Sequence, residues 1–328
     1  MINKGPLLVL ASQFFAVTIH GLAKYLETTA SVDPQQILQV RMFITLSINS
    51  LFLTTRYPNE LPLGKKSVRH LLILRSLGGI CGSAGFYCEY PVHSLKYLPL
   101  ADATTLNLLA PLGASLVTTK KFTLIEIGSI AICFLGVGLI TKPSFVIDLL
   151  YYNDADNHQK IWTSQSRLGL ACSMIGVLGG VCAYSSISKI GLRSHPLVTT
   201  NCFATSILIV SSACFAAVPG VNFNFDLGLL QWFIMGSIGL SGALMEYLLT
   251  AGLSDEGNSY AVHMIYFQVV LALVADWLIW HTIPDITSGI GAGLIIQAMY
   301  VIQKYRYKED DIVDIEMAPY TRNCRSMT

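Results

Sequence analysis

GSAGFYCEY, from Gly82 to Tyr90, and GLSGALMEY, from Gly239 to Tyr247, share the pattern Gly-x-x-Gly-x-x-x-Glu-Tyr at an offset of 157 residues. Each lies in a long apolar run. Carried forward without a gap, the same offset sets Pro111 against Gln268, so the register survives across a helix boundary. Asp33-Pro34 and His195-Pro196 both open the second apolar block of a set of five, and Lys24 and Lys189 both close the first. The chain reads as a duplicated unit.

The rest of the composition says where that unit sits. Of 328 residues, 53% are hydrophobic and 12% charged, and mean hydropathy is +0.55, whereas soluble chains carry about 25% charged residues. The apolar blocks run about 18 to 25 residues, enough for a helix to cross roughly 30 Å of hydrocarbon. We place ten spans, at 5–24, 35–54, 70–95, 100–118, 123–141, 168–188, 196–217, 228–251, 259–281 and 286–303. The expected architecture is an all-α polytopic membrane protein of ten transmembrane helices. It divides into a first five-helix repeat (1–143), an inter-repeat loop (144–167), a second five-helix repeat (168–303) and a tail (304–328). The first block has Lys4 before it but no cleavage site after it, so it is kept as a helix.

A unit with an odd number of crossings deposits its copy upside down, relating the halves by a twofold axis in the membrane plane. Two such halves can rock to present one midplane cavity to each side in turn, which is alternating access. Lys and Arg count twelve on one set of loops, including Lys65, Lys66, Lys120, Lys121 and Arg193, and five on the other. By the positive-inside rule both termini are cytosolic, although Asp255 and Glu256 run against the trend.

Other functions find little support. Net charge is +1, and no basic stripe interleaved with aromatics suggests nucleic acid. HExxH, GxSxG and Walker A patterns are absent, so neither an enzyme nor a nucleotide-driven pump is expected, and no cofactor is implied. Seven of eight cysteines lie in apolar blocks without metal-ligand spacing and read as buried thiols. The expected partners are the lipid bilayer and a small-molecule substrate, with coupling to a proton or to an exchanged solute; a homodimer is admissible. The competing reading is a non-transporting scaffold or regulator acting through its tail, where Lys304, Arg306 and Lys308 precede an acidic stretch.

Charge at membrane depth needs a partner or water, since an Arg or Asp at a helix centre costs at least about 2.5 kcal/mol on insertion. Arg41, Arg75, Glu89 and Glu246 stand out. Counting along the helices sets Arg41 level with Glu89 toward the non-cytosolic side, and Arg75 level with Glu246 toward the cytosol. That predicts two charge-compensated sites on either side of a cavity, serving a polar substrate or a proton as gates. Fixed ion pairs without substrate contact are the alternative. Gly82 and Gly85, and Gly239 and Gly242, let helices approach and offer sliding faces for the rocking motion. Pro111 would free a carbonyl inside span four and mark the cavity. His263 and Gln268 lie just over one turn apart on span nine.

The segments LKYLPLADATTLNLLAPLGASLV (Leu95–Val117) and LIEIGSIAICFLGVGLI (Leu124–Ile140), with Arg41, resemble the EamA-type domain of the drug/metabolite transporter superfamily. The likeness is strong in the first half and weak in the second, and the chain looks closest to the G subgroup of the solute-carrier thirty-five family. It implies a five-plus-five carrier of small solutes whose fourth and ninth spans border the cavity, making Asn107 and Gln268 substrate contacts. Where many members carry a Glu before span five, this chain has Lys120-Lys121, and before span ten it has His281.

Overall fold

Two helices begin in the same way. Pro34 opens one, and the Asp33 carboxylate accepts a hydrogen bond from the Gln35 amide at 2.8 Å. Pro196 opens the other, and Nδ1 of His195 accepts from the Leu197 amide at 3.2 Å. Proline fits the first helical turn because its missing N–H would have no intrahelical acceptor there, and the side chain before it satisfies the next amide.

These helices belong to a computed structural model that describes residues 4–60, 64–87, 108–118, 124–141, 164–217, 223–255, 259–281, 285–301 and 304–305. Among the described residues the α-helices are α1 (Lys4–Ala30), α2 (Pro34–Arg56), α3 (Arg69–Tyr87), α4 (Leu109–Thr118), α5 (Leu124–Thr141), α6 (Ser164–Ile190), α7 (Pro196–Ala217), α8 (Leu229–Leu253), α9 (Phe267–Trp280) and α10 (Ile286–Val301). A 3-10 segment, Ser259–Tyr266, runs directly into α9. Among the described residues, six helical stretches are long and apolar enough to cross a bilayer. Leu229 is 91% exposed and Leu124 88% exposed, so the helices turn apolar side chains outward, as a membrane protein must.

Where described, the helices fall along the expected spans, while 88–95 of the third and 100–107 of the fourth lie outside the described residues. The ninth differs in beginning as eight residues of 3-10 helix rather than α-helix, a form that usually persists for only about 3–4 residues. Pro111 lies near the start of described α4.

Packing runs mainly between the two halves. α3 lies along α6 and α1 along α8; α2 packs on α8 and α7 on α3; α4 packs on α6, and α1 on α9 and its 3-10 lead. Replacing each helix by the one five places away returns the same set of pairs. α5 and α10 meet at Gly136 and Gly291, where a Cβ on either would stand 2.7 or 2.6 Å from the other's carbonyl oxygen.

α2 and α7 run antiparallel, because Gln35 and Gln39 bond Ser211 and Ser212 near one end while Asn49 and Ser50 bond Thr200 and Asn201 near the other. Gln39 and Asn201 each stand five residues after the opening proline, and Ser50 and Ser212 each sixteen. The Gln39–Ser212 contact at 3.1 Å and the Ser50–Asn201 contact at 3.2 Å are therefore counterparts. Between them sit buried Leu38, Met42, Phe203, Ala204 and Ile207.

Candidate functional site

The charged site forms where α2, α3 and α8 converge. Nη2 of Arg41 donates to Oε1 of Glu246 at 3.3 Å. Nη2 of Arg75 donates to Oε2 of the same carboxylate at 3.3 Å. The side chains of Arg75, Glu246 and Arg41 are only 6%, 8% and 16% exposed. One carboxylate thus bridges two guanidinium groups out of water, where paired charges hold each other far more firmly than at a surface.

Local sequence explains how three charged groups reach one point. Gly242 precedes Glu246 by one helical turn, so both face the same side of α8. A Cβ at Gly242 would stand 2.6 Å from Nε and 2.8 Å from Cγ of Arg41; the missing side chain is the space the arginine occupies. Gly79 does the same on α3, one turn after Arg75, where a Cβ would stand 2.6 Å from the Arg75 Nη1 and collide with the Phe203 ring. Phe203 lies under the guanidinium, its ring centre 4.1 Å from Cζ of Arg75, a cation–π contact that leaves the edges of the group available for hydrogen bonds. Tyr184 of α6 is near enough to act electrostatically on both Arg75 and Glu246, and His20 of α1 lies within the same range of Arg41.

The expected division into two ion-pair sites is corrected. Arg75 and Glu246 do meet, but Arg41 reaches that same carboxylate instead of standing at an opposite depth. Residue counting gives the height of a Cα along its helix, not the reach of a long side chain laid across a glycine. Glu89 and Asn107 lie outside the described residues, as do the surroundings of Gly85. Gly82 packs against α6, with Gly176 and Gly180 backbone 3.8 Å from a built Cβ, and Gly239 packs against Ile44 of α2. The two glycine faces therefore meet different neighbours rather than each other. His263 is buried in the 3-10 segment, and Gln268 is half-buried in the first turn of α9. His281 is the left-handed residue that ends α9, with φ 53°. Asp255, which ran against the charge trend of its loop, accepts from the Gly5 amide at 3.1 Å and so neutralises the N-terminal end of α1.

Sequence reasoning missed Phe203 altogether. The available signal was small residues one turn from an arginine, which mark where a large partner lies against the helix. No group of three or more His, Cys, Asp or Glu arranged to hold a metal occurs among the described residues.

The EamA-like transporter family matches residues 170–303, the half in which the quoted segments gave the weaker resemblance. Along nearly its whole length the chain is similar to the probable transporter vicT of Bipolaris victoriae, at 32% identity over 93% of this chain and 86% of vicT. A probable transport protein of Saccharomyces cerevisiae is 26% identical over 95% of this chain and 91% of its own. The pseudopaline exporter CntI of Pseudomonas aeruginosa is 21% identical over 93% and 97%. One crystal structure superposes at a TM-score of 0.68 with 16% identity, covering 92% of this chain and 97% of that one, a likeness of fold. With a third of its residues shared across almost the full length of a relative, and the family pattern present in its second half, the chain belongs to the EamA-like transporter family of the drug/metabolite superfamily.

Proposed function

We propose that this chain is a secondary carrier that moves a small polar or anionic metabolite by alternating access between two inverted five-helix repeats, 1–143 and 168–303. The observation that carries the reading is the buried Arg41–Glu246–Arg75 cluster, built from both halves at the meeting of α2, α3 and α8. Ionisable groups inside a helical membrane bundle are expensive and face a pathway or one another. The inverted arrangement is supported by the matched caps at Asp33 and His195, the antiparallel α2–α7 pair with its counterpart contacts, and packing that is unchanged by a five-helix shift.

Finer features belong to the same reading. Both termini lie on the cytosolic face, in keeping with the loop charges. Asn107, His263 and Gln268 join the cluster along the pathway, and Pro111 sits at its edge. The Leu95–Ile140 segments favour the G subgroup of the solute-carrier thirty-five family. The names of vicT and CntI place transport, and for CntI export, among the relatives.

Purified protein in liposomes, offered a panel of metabolites and scored by thermal shift and by exchange across the bilayer, tests the proposal. Exchange of one solute supports it. Capture of a protein partner through residues 304–328, with no solute response, replaces it with the scaffold reading.

A further inference from the structure

We infer that the Arg41–Glu246–Arg75 cluster is an anion receptor short of one negative charge, and that the missing member is a single monoanionic oxyanion, a carboxylate or a phosphodiester, carried by the cargo. The inference rests on the carrier reading and deepens it by naming the chemical class the site takes.

Charge is the first argument. Two guanidinium groups against one carboxylate leave a net +1 among side chains that are 6%, 8% and 16% exposed. Guanidinium cannot shed its proton in a protein, and an unmatched buried charge is strongly unfavourable. Among the described residues the other polar groups around it, Tyr184 from α6 and His20 from α1, bring no fixed negative charge. On α7 the neighbour is the Phe203 ring. Tyr266 of the 3-10 segment, within electrostatic reach of Tyr184, is buried and is not an acid at neutral pH.

Hydrogen bonding is the second. Each guanidinium offers five donors in a planar fork, and each uses one Nη2 on Glu246. Nε of Arg41 and Nε of Arg75 are buried without a hydrogen-bond partner among the described residues. Buried donors are almost always satisfied, so two on neighbouring arginines point to an acceptor that arrives from elsewhere. A flat oxyanion with two acceptor oxygens suits such edges better than a hydroxyl or an amide. Arg41, the most exposed of the three, is the side from which it enters.

The charge count makes the test specific. Detergent-purified full-length protein is titrated at constant ionic strength with lactate, its neutral amide lactamide, dimethyl phosphate and sulfate, and ligand protection is read as the shift in unfolding temperature. Wild type is expected to respond to lactate or dimethyl phosphate and not to lactamide, the two monoanions telling carboxylate from phosphate. Arg41→Gln and Arg75→Gln, with the excess charge removed, lose the response. Glu246→Gln, now carrying two uncompensated positive charges, shifts its preference by about tenfold from lactate toward divalent sulfate. A purely structural ion network would not change selectivity with charge number. Protection by lactamide equal to that by lactate, absence of any anion response in wild type, or retention of the response in both arginine variants overturns the inference. So does an anion response that arises only in Glu89→Gln, since Glu89 would then be the missing charge. The arginine variants decide the matter even if Glu246→Gln does not fold. Exchange in liposomes is scored separately: neutral solutes exchanged without anion protection sink this inference alone, whereas anion protection with no exchange of any solute sinks the carrier reading.

Discussion

Gly78 of α3 and Gly242 of α8 are glycines on matching helices that serve different purposes. On α3, Gly78 lets two backbones touch: a Cβ there would stand 2.7 Å from the Gly179 carbonyl oxygen and 2.9 Å from the Ala183 nitrogen of α6. On α8, Gly242 admits not a backbone but the stem of Arg41, and Gly236 faces open space. Each helix has both uses, joint and cradle for charge, at different positions: α3 also seats Arg75 at Gly79, and α8 also meets the α1 backbone at Gly252, where a Cβ would stand 2.6 Å from the Gly5 carbonyl oxygen. On the proposed two-repeat reading, the same helices meet in both halves while individual contacts diverge. This is expected in a bilayer, where close approach depends on small residues and not on hydrophobic drive.

The largest effect should come from removing the shared carboxylate. Glu246→Ala strips both arginines of the acid that bridges them, and breaking a buried pair costs about 3–5 kcal/mol. Thermal unfolding in micelles should show it, and a near-native midpoint would mean that another acid compensates. Gly78→Ala comes next, since neither clashing backbone can yield without separating α3 from α6. Overpacking of this kind costs about 1–3 kcal/mol, and a smaller loss would show that the joint is looser than its geometry.

Gly242→Ala should separate the cradle from the joint. The gain of up to about 1 kcal/mol in helix propensity offsets the displacement of a flexible arginine, so stability should change little. On the proposed reading, in which Arg41 seated on Glu246 serves the cargo, solute exchange should fall to background. Equal stability loss in Gly78→Ala and Gly242→Ala would erase the distinction drawn between the two positions.

The smallest effect concerns the two helix starts. Burial holds the His195 imidazole below its ordinary pKa, and the nearby Glu60 opposes this only in part. A base with a lowered folded pKa adds stability that is present above the unfolded value of about 6.5 and lost as pH falls through the folded one. Protonation of Nδ1 would also remove the acceptor for the Leu197 amide. Wild type should therefore lose stability between pH 7 and 5 more steeply than His195→Asn, whose amide oxygen caps without titrating. Parallel pH profiles would show that His195 contributes nothing to that slope.

Much of the helical plan was legible in the sequence. The block from Pro196 to Ala217 is read to the residue because a proline opens it and the apolar run ends with it. The 3-10 start of the ninth span was not, since Ser259–Tyr266 has the same apolar character that would suit an α-helix. At the site, the sequence nominated Arg41, Arg75 and Glu246 because charge within apolar blocks is conspicuous. It misassigned Arg41 because a linear count holds no lateral coordinate, and it missed Phe203 because one aromatic among many carries no mark of the guanidinium above it.

The tightly wound lead into α9 has a mechanical corollary. At about 2.0 Å per residue instead of 1.5 Å, eight residues extend about 4 Å farther than the same stretch wound as an α-helix. Rewinding it would draw Ser259 that distance toward Phe267 with no peptide link broken and with each amide merely changing its acceptor by one position. The chain thus holds slack as a coiled spring does, directly beside α1 and α4, which the segment touches.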